Sequence, residues 1–176
     1  MGHKFSANGV SLRNDKVAAI KNLRQPNRVE ELRSFLGLLN FVGKFIPDLA
    51  TATDPLRKLT KKGVPIVWDE EKEAAFYKLK AYLQEGFTLG YFNKNDRTQV
   101  YADASPVGLG AVLVQFDQHG PRIICYASKS LSGAEKRYCQ TEKEALSSNL
   151  YKPQPKVEGF PHTNYANCAS RSRRRP

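Results

Sequence analysis

The chain has 176 residues, 40% of them hydrophobic, enough to bury the core of one domain or two small ones. Its 28 Lys+Arg against 17 Asp+Glu give a net charge of +11, which favours a polyanionic partner. No apolar run approaches the ~20 residues of a membrane span, and Met1 to Val10 is too polar for a signal peptide. Cys125, Cys139 and Cys168 lack the spacing of a disulfide framework or zinc site, so the expectation is a cytoplasmic or nuclear chain, not secreted and with no membrane partner.

The basic excess lies at the two ends: residues 1–96 carry 16 basic and 11 acidic side chains, residues 97–150 carry 6 and 5, and residues 151–176 carry 6 and 1. Lys16 to Leu23 is a short apolar-basic segment halted by Gln25-Pro26. From Val29 the apolar positions Leu32, Phe35, Leu36, Leu39, Val42 and Phe45 recur at steps of three and four, which predicts a helix until Pro47 ends the stripe. Asp48 to Leu59 allows another short helix, with Asp54-Pro55 expected to interrupt any long version. After the basic turn Lys61-Lys62-Gly63, Asp69 is a good N-cap. Glu70, Glu71 and Glu73 then suit the positive end of a helix whose stripe is Ala75, Phe76, Leu79 and Leu83 and which closes near Gly86.

Beyond Asn93 to Asp96 the period becomes that of strands: Thr98 to Ala102, Gly108 to Phe116, and Arg122 to Ala127. Short turn-rich links make these a three-stranded antiparallel meander. Ser132-Gly133 opens a helix with Ala134, Tyr138, Thr141 and Ala145 along one side. After Leu146, prolines at 153, 155 and 161 and the run Arg171 to Arg175 change the character, and residues 148–176 are expected to be disordered. The arginine run suits nucleic acid or nuclear import, and equally arises by chance in so short a tail.

Glu31-Leu-Arg-Ser-Phe-Leu-Gly-Leu-Leu-Asn-Phe, Lys44-Phe-Ile-Pro and Asp54-Pro-Leu resemble the segment beyond the palm in gypsy-class retrotransposon reverse transcriptases. Gly2-His3 resembles the end of the glycine-histidine motif that precedes it, and Trp68 with its helix the connecting region that follows. Tyr101-Ala-Asp-Ala-Ser-Pro-Val-Gly-Leu-Gly-Ala-Val-Leu resembles the opening strands of their ribonuclease H domain. Tyr126-Ala-Ser-Lys-Ser-Leu, Glu135-Lys-Arg-Tyr and Thr141-Glu-Lys-Glu-Ala-Leu match its third strand and first helix. The likeness covers residues 2–146 in order.

The resemblance implies an α+β chain: a small helical thumb/connection region (1–90), then a truncated ribonuclease-H-like three-stranded antiparallel sheet with one helix (91–147), then the basic tail (148–176). It implies as partners a template-primer duplex or RNA-DNA hybrid, and other Pol or integrase segments. Phosphodiester hydrolysis by two Mg²⁺ gathers several carboxylates. Of the family's four, two positions match here, Asp103 and Glu144, as catalytic residues and metal ligands. Asp103 reads equally well as a turn-forming residue, and helical phase does not separate Glu144 from Glu142; the family match alone selects Glu144. Of the acids beyond Glu144 the sequence has Glu158, set between prolines, so the chain is expected to be catalytically incomplete. Tyr101-Ala-Asp-Ala is not the adjacent-carboxylate signature of a polymerase.

Arg33, Lys44, Arg57, Lys58, Lys61 and Lys62 are candidates for backbone-phosphate contacts, or form a solvated face. The alternatives are a non-catalytic nucleic-acid-binding module and a translated remnant without a role. Absence of a fourth strand would leave the first strand as an open edge, with marginal stability of the second half.

Overall fold

A computed structural model describes residues 2–151. Their elements are β1 (His3–Ser6), β2 (Gly9–Leu12), α1 (Asn14–Lys21), α2 (Val29–Phe41), α3 (Leu49–Lys58), α4 (Glu70–Gln84), β3 (Arg97–Ala104), β4 (Gly108–Asp117), β5 (Gly120–Ser130) and α5 (Gln140–Ser148). The chain is α+β, with its helices mostly first and a three-stranded antiparallel sheet in the order β3-β4-β5. Among the described residues no helix is long and apolar enough to cross a membrane.

The period-3.6 stripe does what its spacing requires. Leu32, Phe35, Leu36 and Leu39 of α2 are buried, as are Val42 and Phe45 in the turn that follows. They share one core with Leu49, Leu56 and Leu59 around α3 and with Phe76, Leu79 and Leu83 of α4. Asp69 caps α4 by accepting from the Lys72 N–H at 3.0 Å. The Trp68 indole donates to the Pro26 carbonyl at 3.0 Å and meets Phe76 edge-on.

Four expectations need correction. The first ninety residues also contain the hairpin β1-β2, whose Leu12 belongs to the helical core. Pro55 does not interrupt α3 but lies inside it. It cannot donate to the Thr51 carbonyl, and Thr51 is exposed, so that carbonyl is open to solvent and the loss is tolerated.

The last helix does not start at Ser132-Gly133. A 3-10 turn (Glu135–Arg137) comes first, so the helical phase carried from Ala134 is lost. α5 then buries Lys143 and Ser147 and exposes Thr141 and Ala145. The ordered chain also runs further than expected: Ser148 ends α5, and a 3-10 turn (Asn149–Tyr151) follows. Leu150 of that turn packs with Leu146 on Ala104, Leu109 and Leu131. The remainder of the expected tail, residues 152–176, lies outside the described residues.

The sheet lies against the helical half through β4 and β5. Ile123 and Tyr126 pack on the helical core, and the Ala50 N–H donates to Ser128 Oγ at 2.8 Å. The start of β3 is held by Gln115, which is fully buried. Its amide accepts from the Asn93 N–H at 2.8 Å and donates to the Asn93 carbonyl at 2.7 Å and Thr98 Oγ1 at 2.8 Å. Arg122 reinforces the same corner by pairing with Asp96 and Asp117.

Candidate functional site

Asp103 is the penultimate residue of β3, paired with Gly110 of β4. Its side chain is exposed, and Oδ1 accepts from the Ala104 N–H at 2.8 Å. α5 crosses this end of the strand. Gln140, its first residue, donates to the Ala104 carbonyl at 3.0 Å and to Glu144 Oε1 at 3.2 Å. One amide thus bonds both the residue next to Asp103 and the carboxylate of Glu144, which sets the start of α5 at the Asp103 end of β3. The two acids of α5 have separate surroundings: Glu142 reaches back to accept from the Cys139 N–H at 2.9 Å as a helix cap, while Glu144 stands exposed beside Gln140.

Gln140 was not among the sequence candidates. Its signal was the position of an amide four residues before Glu144, the spacing that puts two side chains on one helical face.

The six basic candidates do not form one group. Arg33 at the start of α2 donates to the Thr60 carbonyl at 3.4 Å, which brings it beside Lys61 and Lys62 past the end of α3. Arg57 donates to Thr53 Oγ1 at 3.0 Å and to Asn40 Oδ1 at 3.4 Å, and Lys58 pairs with Asp54 at 3.0 Å. Arg33, Lys61 and Lys62 therefore gather past the C-terminal end of α3, where cations also suit the helix dipole, whereas Arg57 and Lys58 reach back along α3, Arg57 to Asn40 near the far end of α2 from Arg33. Lys61 and Lys62 are exposed and enter no ion pair among the described residues.

Lys44 is elsewhere. Its ammonium lies 5.2 Å from the Phe45 ring centroid, half-buried, and burial pushes its pKa down. His3 stacks on the same Phe45 ring and is likewise pushed down, by burial first and then by the Lys44 charge.

Residues 68–150 match the model of the RNase H-like domain found in reverse transcriptase. This part of the chain is similar to that family's domain. The match begins at Trp68 and so takes in α4 as well as the sheet and α5. The curated relatives extend the likeness over most of the chain. The retrovirus-related Pol polyprotein from transposon opus of Drosophila melanogaster is 35% identical over 157 residues, 83% of this chain and 16% of that protein. The Tf2-3 polyprotein of Schizosaccharomyces pombe is 32% identical over 149 residues, 83% of this chain and 11% of that one.

Among solved structures, the foamy viral protease-reverse transcriptase in complex with an RNA/DNA hybrid superposes with a TM-score of 0.69 at 25% identity, covering 85% of this chain and 20% of that one. The same protein in complex with dsDNA gives 0.68, covering 85% and 31%. The chain thus corresponds to a reverse transcriptase/RNase H-like segment of a retrotransposon Pol polyprotein and spans a small part of its relatives' length. RNase H-like domains of reverse transcriptases generally use a divalent metal.

Among the described residues no group of three or more His, Cys, Asp or Glu is placed to hold a metal ion. Asp103 and Glu144 supply two carboxylates, and one oxygen of Glu144 is engaged by Gln140. Two carboxylates do not fit a two-metal centre.

Proposed function

We propose that this segment engages a nucleic-acid duplex, an RNA-DNA hybrid or template-primer, and does not cleave it unaided. The observation that carries the reading is the meeting of Arg33, Lys61 and Lys62, all exposed, past the C-terminal end of α3. Backbone phosphates are the partner that such clustered, exposed cations suit, each contact adding salt-dependent affinity. The duplex-bound foamy viral structures, which share the fold, support the same partner. Lys44, held against Phe45, positions the chain after α2 instead of meeting phosphate. In this reading residues 1–90 form the thumb/connection-like part and residues 91–147 the start of the RNase H-like part.

Hydrolysis of the RNA strand is the parent activity, and Asp103 and Glu144 mark where it would occur. Two carboxylates leave a scissile phosphate without the ligands that two cations need. Further acids from elsewhere in a longer polyprotein would have to complete the cage.

The test is anisotropy of a labelled RNA-DNA hybrid titrated with the full chain in Mg²⁺, with the strands then run on a denaturing gel. Binding that falls steeply with added salt, weakens about tenfold or more in Lys61→Glu/Lys62→Glu, and leaves the RNA intact is expected. No retention at low salt removes the binding. RNA cleavage abolished by Asp103→Asn overturns the claim of incompleteness.

A further inference from the structure

Between α3 and α4 the chain runs outside any helix or strand. Lys61, Lys62, Gly63, Val64 and Pro65 are all exposed, and so is Val67. Among the described residues, the peptide groups of residues 62–67 make one backbone hydrogen bond, from the Val64 N–H to the Lys61 carbonyl at 3.3 Å. Gly63, at φ +78, has open space where a Cβ would stand. A protease takes its substrate as an extended strand whose peptide groups pair with the enzyme, and exposed loops with free peptide groups are where chains are nicked.

The other basic residues between elements lack that freedom. Arg24 is exposed, but the Leu23 and Pro26 carbonyls beside it accept from Lys80 Nζ at 2.9 Å and from the Trp68 indole at 3.0 Å, and Gln25 donates to Glu73 at 3.3 Å. Lys94 lies in a tight turn, closed by the Asp96 N–H on the Asn93 carbonyl at 3.2 Å and by bonds of the Asn93 side chain to Asp96 and to the Asn95 N–H. Arg13 and Arg28 are the N-caps of α1 and α2, and their carbonyls are held by helical N–H groups. The remaining basic residues of 2–151, apart from Lys61 and Lys62, lie within helices, strands or 3-10 turns. Of that pair, Lys61 has its carbonyl bonded to Val64, whereas the Lys62 carbonyl accepts no backbone hydrogen bond among the described residues.

We propose that the Lys62–Gly63 bond is a cleavage site for a protease that selects basic residues, and that the cut chain persists as a two-piece complex. Lys62 enters no ion pair among the described residues, so its ammonium is free to enter the acidic specificity pocket of a trypsin-like enzyme. Water adds across the bond. The Lys62 carbonyl carbon takes the hydroxyl and becomes a carboxylate, and the Gly63 nitrogen takes the proton and leaves as an amine.

The cut severs one covalent link and leaves the packing across it. Leu56 and Leu59 before the bond share a core with Phe76, Leu79 and Leu83 after it. The Val10 and Leu89 peptide groups exchange two hydrogen bonds of 2.8 Å, and the Tyr91 hydroxyl donates to the Ser6 carbonyl at 3.0 Å. The stability of the cut protein then depends on its concentration, because unfolding has become dissociation. The inference does not rest on duplex binding.

Native digestion of the full chain with a low ratio of trypsin, without nucleic acid and followed by intact mass, tests it. Within residues 2–151 the first cut is expected after Lys62, about tenfold or more faster than after Arg24 or Lys94, where the backbone must first open. The two pieces should elute as one species in size exclusion and separate on a denaturing gel, and the urea midpoint of the cut protein should rise with protein concentration. Lys61→Gln/Lys62→Gln should slow cleavage between α3 and α4 about tenfold or more, while Arg24→Gln leaves it at the wild-type rate. A first cut elsewhere within residues 2–151, pieces that elute apart, or a double variant cut between α3 and α4 as fast as wild type would overturn the proposal. Circular dichroism of each variant keeps a folding defect from passing as a result, and the digestion of the wild type stands even if a variant does not fold.

Discussion

Gly108 of β4 touches Ala50 of α3 so closely that a Cβ on the glycine would stand 2.7 Å from the alanine Cβ. The neighbouring hydrogen bond from Ala50 N–H to Ser128 Oγ and the contact of Thr51 Oγ1 with Ser105 Oγ at 2.8 Å fix α3 against this end of the sheet. Gly108 is thus the point where the helical half meets the strands without a side chain between them. Gly108→Ala is expected to destabilise the chain by about 2 kcal/mol, as overpacking does. Ala50→Gly/Gly108→Ala should recover part of that loss. Urea unfolding of the four-member cycle measures it, and additive effects would mean that the two residues do not press on each other.

Glu135 ties the end of β5 to the turn before α5. Lys129 Nζ donates to one carboxylate oxygen at 2.7 Å and the Ser132 N–H to the other at 2.8 Å, and these hold its pKa at about 2, below its ordinary 4.5. A carboxyl depressed in the folded state adds stability above its unfolded pKa and loses it as pH falls toward the folded one. With solvent screening, Glu135→Gln should cost roughly 1 kcal/mol at pH 7. The difference from wild type should shrink as pH falls from 4.5 toward 2. Thermal melts of both proteins across that window check it, and a constant difference would count against the pair.

Periodicity alone located α2, α4 and all three strands of the meander, because Leu32 to Phe45 and Gly108 to Phe116 carry patterns whose buried faces the fold uses. The hairpin at the start turns at Ala7-Asn8, a pair with no strong turn signature, and has too few apolar residues to outweigh its polarity. Gly9, at φ +133, lets the strand pass Leu89, whose carbonyl a Cβ would meet at 2.1 Å. That contact spans some eighty residues, and no local pattern encodes it.

The phase of α5 was lost because the turn at Glu135–Arg137 breaks the count from Ala134. Asp103 and Glu144 were found by resemblance, whereas Gln140, which links Glu144 to the strand at Ala104, needed the crossing of helix and strand. The basic candidates were legible by type and not by place: Arg33, Lys61 and Lys62 converge, whereas Arg57, Lys58 and Lys44 are held in contacts of their own.

The helical half and the sheet should unfold together. Ile123 and Tyr126 of β5 pack on the core formed by α2, α3 and α4, and Trp68 reports on that core from its contact with Phe76. Trp68 fluorescence and far-ultraviolet circular dichroism are expected to give coincident urea transitions for the full chain. Separate transitions, with ellipticity lost before the tryptophan signal changes, would mean that the open edge at β3 leaves the sheet marginal despite this packing.

The two glutamates of α5 should respond oppositely to truncation. Glu142 satisfies the Cys139 N–H at the helix start, a group that would otherwise lack a partner within the helix. Glu142→Ala should therefore cost about 1 kcal/mol. Glu144 is exposed, and Gln140 keeps its bond to the Ala104 carbonyl without it. Glu144→Ala should change stability by no more than about 0.5 kcal/mol. Paired with Asp103 it should instead alter cation binding, so that Mg²⁺ raises the melting temperature of the wild type slightly and that of Glu144→Ala less. Equal stability losses in the two variants would make both acids structural and remove Glu144 from the candidate site.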